Sequence, residues 1–290
     1  MTQNPSAPRR IVVGVDSSDN AARAATWAAR EAAERGLRLH LVHALDIPPR
    51  LGPLTEGPEY DQARRETGQA LLDRLSNKLH EQYPGLAADT EISTLDPVET
   101  LVDLSRRARF VVTGTRGHGG FAGLLLGSVS LKVAAHAHCP TVVVRGEEPY
   151  EPLDEIVLGI EPGQDEAPIR FAFDTAAEVG ARVSAVRAWS PSAAYAGYYA
   201  ADAVEGREEQ ETAEVADLIK AVHEDYPQVE VSTQVMRGNP VSALITAALS
   251  SRMLVIGAHR HRSPLSVGAG YVVQGLLAHS PTPVAVVPIT

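Results

Sequence analysis

Three glycines and a serine carry the first chemical signal in the chain. In VVTGTRGHGGFAGLLLGSVS, Val111 to Ser130, Gly114 is followed after two residues by Gly117, and after nine more by Gly127 and Ser128. Glycine in a loop costs backbone entropy, so such spacing marks either turns or a close approach of main chain to a ligand. Read chemically, Gly114 and Gly117 let backbone N–H groups approach an anion. Gly127 and Ser128 then open a helix whose positive end favours phosphate, and Ser128 and Ser130 add hydroxyl donors. The bland alternative is a flexible loop with glycines at its turns. A second polar group is Asp16, closing IVVGVD. Ionised, it only accepts hydrogen bonds, and it is equally a helix N-cap beside Ser17 and Ser18. Arg116 can pair with phosphate, although a loop arginine is often simply solvated.

Other chemistries are excluded by spacing. No Gly-Lys-Ser or Gly-Lys-Thr tripeptide occurs, so there is no P-loop. The dinucleotide pattern can be forced onto Gly117, Gly119 and Ala122, but that segment does not follow the first strand. His43, His118, His136 and His138 have no nucleophile or paired carboxylate at a telling distance, and His136 and His138 do not share a helix face. No metal site made of protein side chains is expected. Cys139 is the single cysteine, which rules out an intrachain disulfide and a Cys/His zinc pattern and fits a reducing compartment. A formal charge of −10 argues against a general nucleic-acid binder. MTQNPSAPRR has no apolar core of a leader, and no run of about 18 apolar residues occurs, so no membrane partner is expected and the location is read as cytoplasmic.

The elements that must hold these residues come from an internal repeat. Asp96-Pro97-Val98 recurs as Asn239-Pro240-Val241 and HEQYP from His80 as HEDYP from His223, both at an offset of 143. Near the start the offset is 145, aligning IVVGVD with IVLGIE from Ile156. Two copies of one domain are therefore expected, residues 1–147 and 153–290, joined near Arg145 to Glu155. Within a copy, short β-branched runs alternate with helical segments: RIVVGVD, an alanine-rich helix ending at Gly36, LRLHLVHAL, a long polar helix to about Tyr83, ADTEIST, a helix from Pro97, RFVVTG, a helix over Ser128 to His138, and TVVVR. Such alternation predicts an α/β domain with a parallel sheet covered on both faces. Ligands then sit at the carboxyl ends of the strands, where the glycine stretch begins.

The spacing Gly114, Gly117, Gly127, Ser128 resembles the nucleotide-binding pattern of the ATP-binding class of universal stress proteins, and the resemblance spans the whole chain as two tandem domains. It implies a Rossmann-like, adenine nucleotide alpha hydrolase-like fold in each copy, with five parallel strands in the order 3-2-1-4-5. It also implies pairing of each domain with a second one through the last strand, here within one chain, and a homodimer of tandem chains. Carried over position by position, Asp16 with Gly14 and Val15 would stand near the adenosine, and Ala44 would meet the adenine. Thr113, Gly114, Arg116, Gly117 and His118, with Gly127, Ser128, Val129 and Ser130, would surround ribose and phosphates. The implied ligand is ATP with Mg2+.

The second copy departs from the pattern. Glu161 stands for Asp16, Arg260 for Gly117 and Tyr271 for Ser128, while Gly257 and Gly270 are retained. Either this site has decayed into a structural partner, or its His259 to Arg262 cluster binds an anion through side chains. The expected function is that of an ATP-binding regulator or sensor in stress response, with at most slow hydrolysis. The alternatives are a scaffold that takes no nucleotide and a slow ATPase.

Overall fold

The computed structural model describes residues 10–45, 58–115, 117, 126–145, 154–161, 163–189, 201–259 and 270–289. Among these, residues up to Arg145 form one compact unit and residues from Asp154 onward a second. The first unit runs β1 (Arg10–Gly14), α1 (Asp19–Arg35), β2 (Arg38–Ala44), α2 (Pro58–Gln82), β3 (Ala88–Ser93), α3 (Pro97–Leu104), β4 (Phe110–Gly114), α4 (Ser128–His136) and β5 (Thr141–Val144). The second repeats the order as β6 (Glu155–Gly159), α5 (Ala167–Val179), β7 (Arg182–Trp189), α6 (Ala201–His223), β8 (Val231–Arg237), α7 (Pro240–Ala248), β9 (Met253–His259), α8 (Tyr271–His279) and β10 (Val284–Ile289).

Local chemistry sets the element ends. In α1 the alanines favour helix, Ser18 accepts from the Ala21 N–H as N-cap, and Gly36 at φ 61° closes the helix in the left-handed region that glycine adopts without strain. Asp96 caps α3 by accepting from the N–H groups of Val98 and Glu99, with Pro97 behind it, and Asn239 does the same for α7. These caps are the Asp-Pro and Asn-Pro pairs that mark the repeat in the sequence.

Within the first unit the strands lie in the order β3-β2-β1-β4-β5, all parallel, and within the second in the order β8-β7-β6-β9-β10, also all parallel. The expected 3-2-1-4-5 arrangement is thus present in both copies. Strands buried on both faces must be apolar throughout, and Ile11, Val12 and Val13 of β1 are fully buried. Helices α1 and α2 contact each other and cover one face, while α3 and α4 contact each other and cover the opposite one. Beneath α3 and α4, Val12, Val42, Leu101, Leu104, Val111 and Val133 form a continuous apolar cluster. The chain order reverses direction between β1 and β4, so their carboxyl ends splay apart there and leave a crevice.

Candidate functional site

A cavity of about 370 Å³ occupies that crevice, a size suited to a small organic ligand. Its walls include Gly14, Val15 and Asp16 at the end of β1, Val42, His43 and Ala44 from β2, and the two ends of the glycine segment, Thr113, Gly114 and Gly117 with Gly127 to Ser130. All the residues assigned to the first copy by sequence therefore converge, save Arg116 and His118, which lie outside the described residues. The cavity is also lined by residues that sequence reasoning did not assign: Ala21 of α1, Val42 and His43 of β2, and Pro97, Thr100 and Leu101 of α3.

Asp16 is neither a bare acceptor nor an N-cap. Its Oδ1 accepts from the Ser18 N–H at 3.0 Å and from the Ser18 hydroxyl at 2.5 Å, while Ser18 itself caps α1. The carboxylate is held by this turn, and a Cβ at Gly117 would collide with its Oδ2. Glycine at 117 thus leaves room for the acid. Glycine at 114 answers to a different demand: a Cβ there would stand 2.7 Å from the main-chain carbonyl of Asn20, so this glycine lets α1 pack on β4. Gly114 lines the cavity as well, so helix packing and the cavity wall place their demands on the same glycine.

The start of α4 is stapled to the end of β4. The Gly127 N–H donates to the Thr115 carbonyl at 2.6 Å, and the Ser130 hydroxyl donates to the Gly114 carbonyl at 2.6 Å. Gly127 is the N-cap and supplies no side-chain cap, so the first N–H groups of α4 have none of the side-chain satisfaction that Ser18 gives α1 or Asp96 gives α3. A helix opening of this kind, at the rim of a cavity, favours an anionic group.

His43 joins the cavity to α2. Its Nδ1 lies 2.8 Å from the Val15 carbonyl, which can only accept, so Nδ1 carries the proton and donates. On its other side the ring rests on Gly68 of α2, where a Cβ would approach His43 Cδ2 to 2.6 Å and Ile92 Cδ1 to 3.1 Å. Deeper in the wall, Thr100 shares a 2.7 Å hydroxyl pair with Ser93. Cys139 belongs to the apolar cluster under α3 and α4, and burial pushes its thiol up to about 12, so it stays protonated and unreactive at neutral pH.

The corresponding residues of the second unit are arranged differently. Glu161 is exposed and its N–H donates to Gln164 Oε1. A Cβ at Gly257 would stand 2.9 Å from Pro168 Cγ, so that glycine serves the packing of α5 on β9. Gly270 opens α8 with free space around it, and Tyr271, 72% exposed, takes the place of the serine. Arg260 lies outside the described residues.

Among the described residues, no group of three or more His, Cys, Asp or Glu side chains is arranged to hold a metal, and no helix is long and apolar enough to cross a membrane.

Known proteins match this chain over nearly its whole length. A universal stress protein of Mycobacterium tuberculosis is 30% identical over 294 residues, covering 97% of this chain and 98% of its own. One of Mycolicibacterium smegmatis is 31% identical over 292 residues, covering 96% of each. Among solved structures, a universal stress protein of Archaeoglobus fulgidus superposes with a TM-score of 0.72 at 17% identity, covering 97% of this chain and 98% of its own, a likeness of fold. The model of the universal stress protein family matches residues 8–145 and again residues 153–288. The chain, with two such domains in tandem, belongs to the universal stress protein family.

Proposed function

We propose that the first unit binds ATP and that the protein acts as a nucleotide-dependent regulator or sensor in stress response. The observation that carries this reading is the convergence of Asp16, Gly117 and the opening of α4 around one cavity with apolar walls. Val15, Val42 and Leu101 offer a surface for a planar base, and the N–H groups at the start of α4 suit phosphate. Among the described residues Asp16 is the one carboxylate on the wall, which fits a Mg2+ ion that arrives with the phosphates and keeps most of its waters, rather than one held by a protein cage. Mg2+ would neutralise phosphate charge at the rim. Asp16 Oδ1 is engaged by Ser18 and His43 Nδ1 by Val15, so the two titratable groups of the wall serve position more readily than proton transfer. ATP then acts by favouring one arrangement of the site over others, a population shift rather than turnover.

Heating the protein purified from cells and identifying released nucleotide by mass spectrometry tests this directly, together with thermal unfolding in ATP and Mg2+. A ligand at a hundredfold excess over its Kd stabilises by about 2.7 kcal/mol, a rise of roughly 5–10 °C for a unit of this size. Gly117→Ala drives its Cβ into Asp16 and is expected to remove most of that rise while leaving the unliganded midpoint within about 1 °C. No nucleotide released and no ATP-dependent rise would overturn the reading in favour of a scaffold.

A further inference from the structure

Neighbouring residues of a strand point to opposite faces of the sheet. Val42 belongs to the cluster under α3 and α4, so His43 stands on the other face, where its ring meets Gly68 of α2. From there Nδ1 donates to the Val15 carbonyl at 2.8 Å. The Val15 N–H meanwhile donates to the Val42 carbonyl at 2.8 Å, so strand pairing already holds that residue to β2. The second unit repeats the strand bond, with the Ile160 N–H on the Val186 carbonyl at 2.9 Å. It does not repeat the side-chain bond. Arg187, at the position of His43, donates to Glu211, and among the described residues no side chain takes up the Ile160 carbonyl. The fold therefore closes this turn without such a bond, and the bond is present in the unit that has the cavity.

A planar trans peptide sets its C=O and the following N–H in opposite directions. Drawing the Val15 carbonyl toward the face of α2 turns the Asp16 N–H toward the face of α3 and α4, the side on which Val42, Leu101 and the opening of α4 line the cavity. Asp16 is thus set at two points, its carboxylate by Ser18 and its peptide by His43. On the proposed ATP-binding reading, we infer that His43 is a positioning residue of the nucleotide site: through Nδ1 it fixes the Val15–Asp16 peptide and holds Asp16 in the arrangement that receives the ligand. Gly68 belongs to the same device, since a side chain there would displace the ring. The turn is ordered before the nucleotide arrives, and preorganisation of that kind raises affinity.

The test separates a donor at one atom from the filling of space. Asparagine carries its N–H donor on Cγ, as histidine carries Nδ1, whereas in glutamine the donor lies one carbon further out. His43→Leu should weaken ATP binding, measured by calorimetry with Mg2+, by about five- to tenfold, the span expected for one lost hydrogen bond. His43→Asn should return the affinity to within about twofold of the unmodified protein, and His43→Gln should stay with leucine. A ring that only fills space predicts the reverse order, because glutamine and leucine match its volume better than asparagine does. Should His43→Leu fail to fold, the asparagine and glutamine variants still rank donor position against volume. In the unmodified protein at about pH 8, nitrogen-15 spectra of the imidazole should show Nδ1 protonated and Nε2 bare. Equal affinities, the reverse order or the opposite tautomer overturns the inference while leaving ATP binding intact. No ATP binding by the unmodified protein overturns the parent reading, and the inference with it.

Discussion

His43 and Arg187 hold the same place in the two units, and they hold it by opposite means. Each is paired with a residue near the end of the neighbouring strand, Ile92 in β3 or Val235 in β8. Each faces the same position of the long helix, Gly68 in α2 and Glu211 in α6, one repeat apart. In the first unit an aromatic ring packs against a residue with no side chain and turns its donor toward Val15. In the second a guanidinium and a carboxylate face each other at 2.8 Å, with the Glu211 side chain 2% exposed and that of Arg187 18% exposed. A cavity edge can be built from a compact ring. A buried ion pair instead requires both partners and closes the space between strand and helix. The contrast recurs at the floor, where Thr113 borders a cavity and Ile256, one repeat on, fills its own surroundings. A duplicated fold has thus kept its strand order and the Asp96 and Asn239 caps twice, while the surface under the helices borders a cavity in one copy and is packed at the matching position in the other.

The comparison breaks most sharply at the ion pair. Removing one partner of a buried pair leaves a charge uncompensated, so Glu211→Gln is expected to cost about 3 kcal/mol, read as a lower urea midpoint, with no change in ATP affinity. A midpoint within error of the unmodified protein would show that the pair contributes no closure. Next in size is Gly68→Ala. The new methyl pushes His43 away from Val15 and should weaken ATP about tenfold, while the gain in helix propensity of about 1 kcal/mol offsets the lost contacts, so Tm barely moves. Equal affinity in that variant would uncouple α2 from the site. The smallest effect concerns Cys139, whose counterpart is Thr282, a hydroxyl donating to the Ala248 carbonyl at 2.6 Å. The thiol titrates near 12 in the folded chain against 9.0 unfolded, so its contribution is present in full below pH 9 and is lost as pH rises toward 12. Stability should therefore fall as pH rises above 9, with Tyr226 of the second unit, whose hydroxyl burial also pushes up to about 12, adding to the loss above pH 10, and iodoacetamide at pH 8 should label Cys139 slowly in the native protein; rapid labelling would place the thiol in a far more open setting.

Much of this was legible in the chain. Pro97 and Gly36 mark a helix start and a helix end locally, whereas the cap of α1 is Ser18 and not Asp16, and the alternation of β-branched runs with helices dictates the parallel sheet. The convergence of Asp16, Ala44 and the glycine segment followed from the strand ends that carry them. What was hidden depends on contacts between distant segments. Gly114 looks like any loop glycine until Asn20 of α1 is laid across it. The partnership of His43 with Gly68 has no local signature, although the paired change to Arg187 and Glu211 at the repeat offset records it.

The two hydrogen bonds that staple the end of β4 to the start of α4 have a consequence for how such proteins diverge. Because Thr115 accepts from Gly127 and Gly114 accepts from Ser130, both anchor points are fixed by the sheet and the helix rather than by whatever chain joins them. Loop closure depends only logarithmically on length, about 0.6 kcal/mol for each doubling. The two bonds thus fix the helix opening from β4 and α4 themselves. Novelty in this fold can enter between the anchors while the geometry at the anchors is inherited.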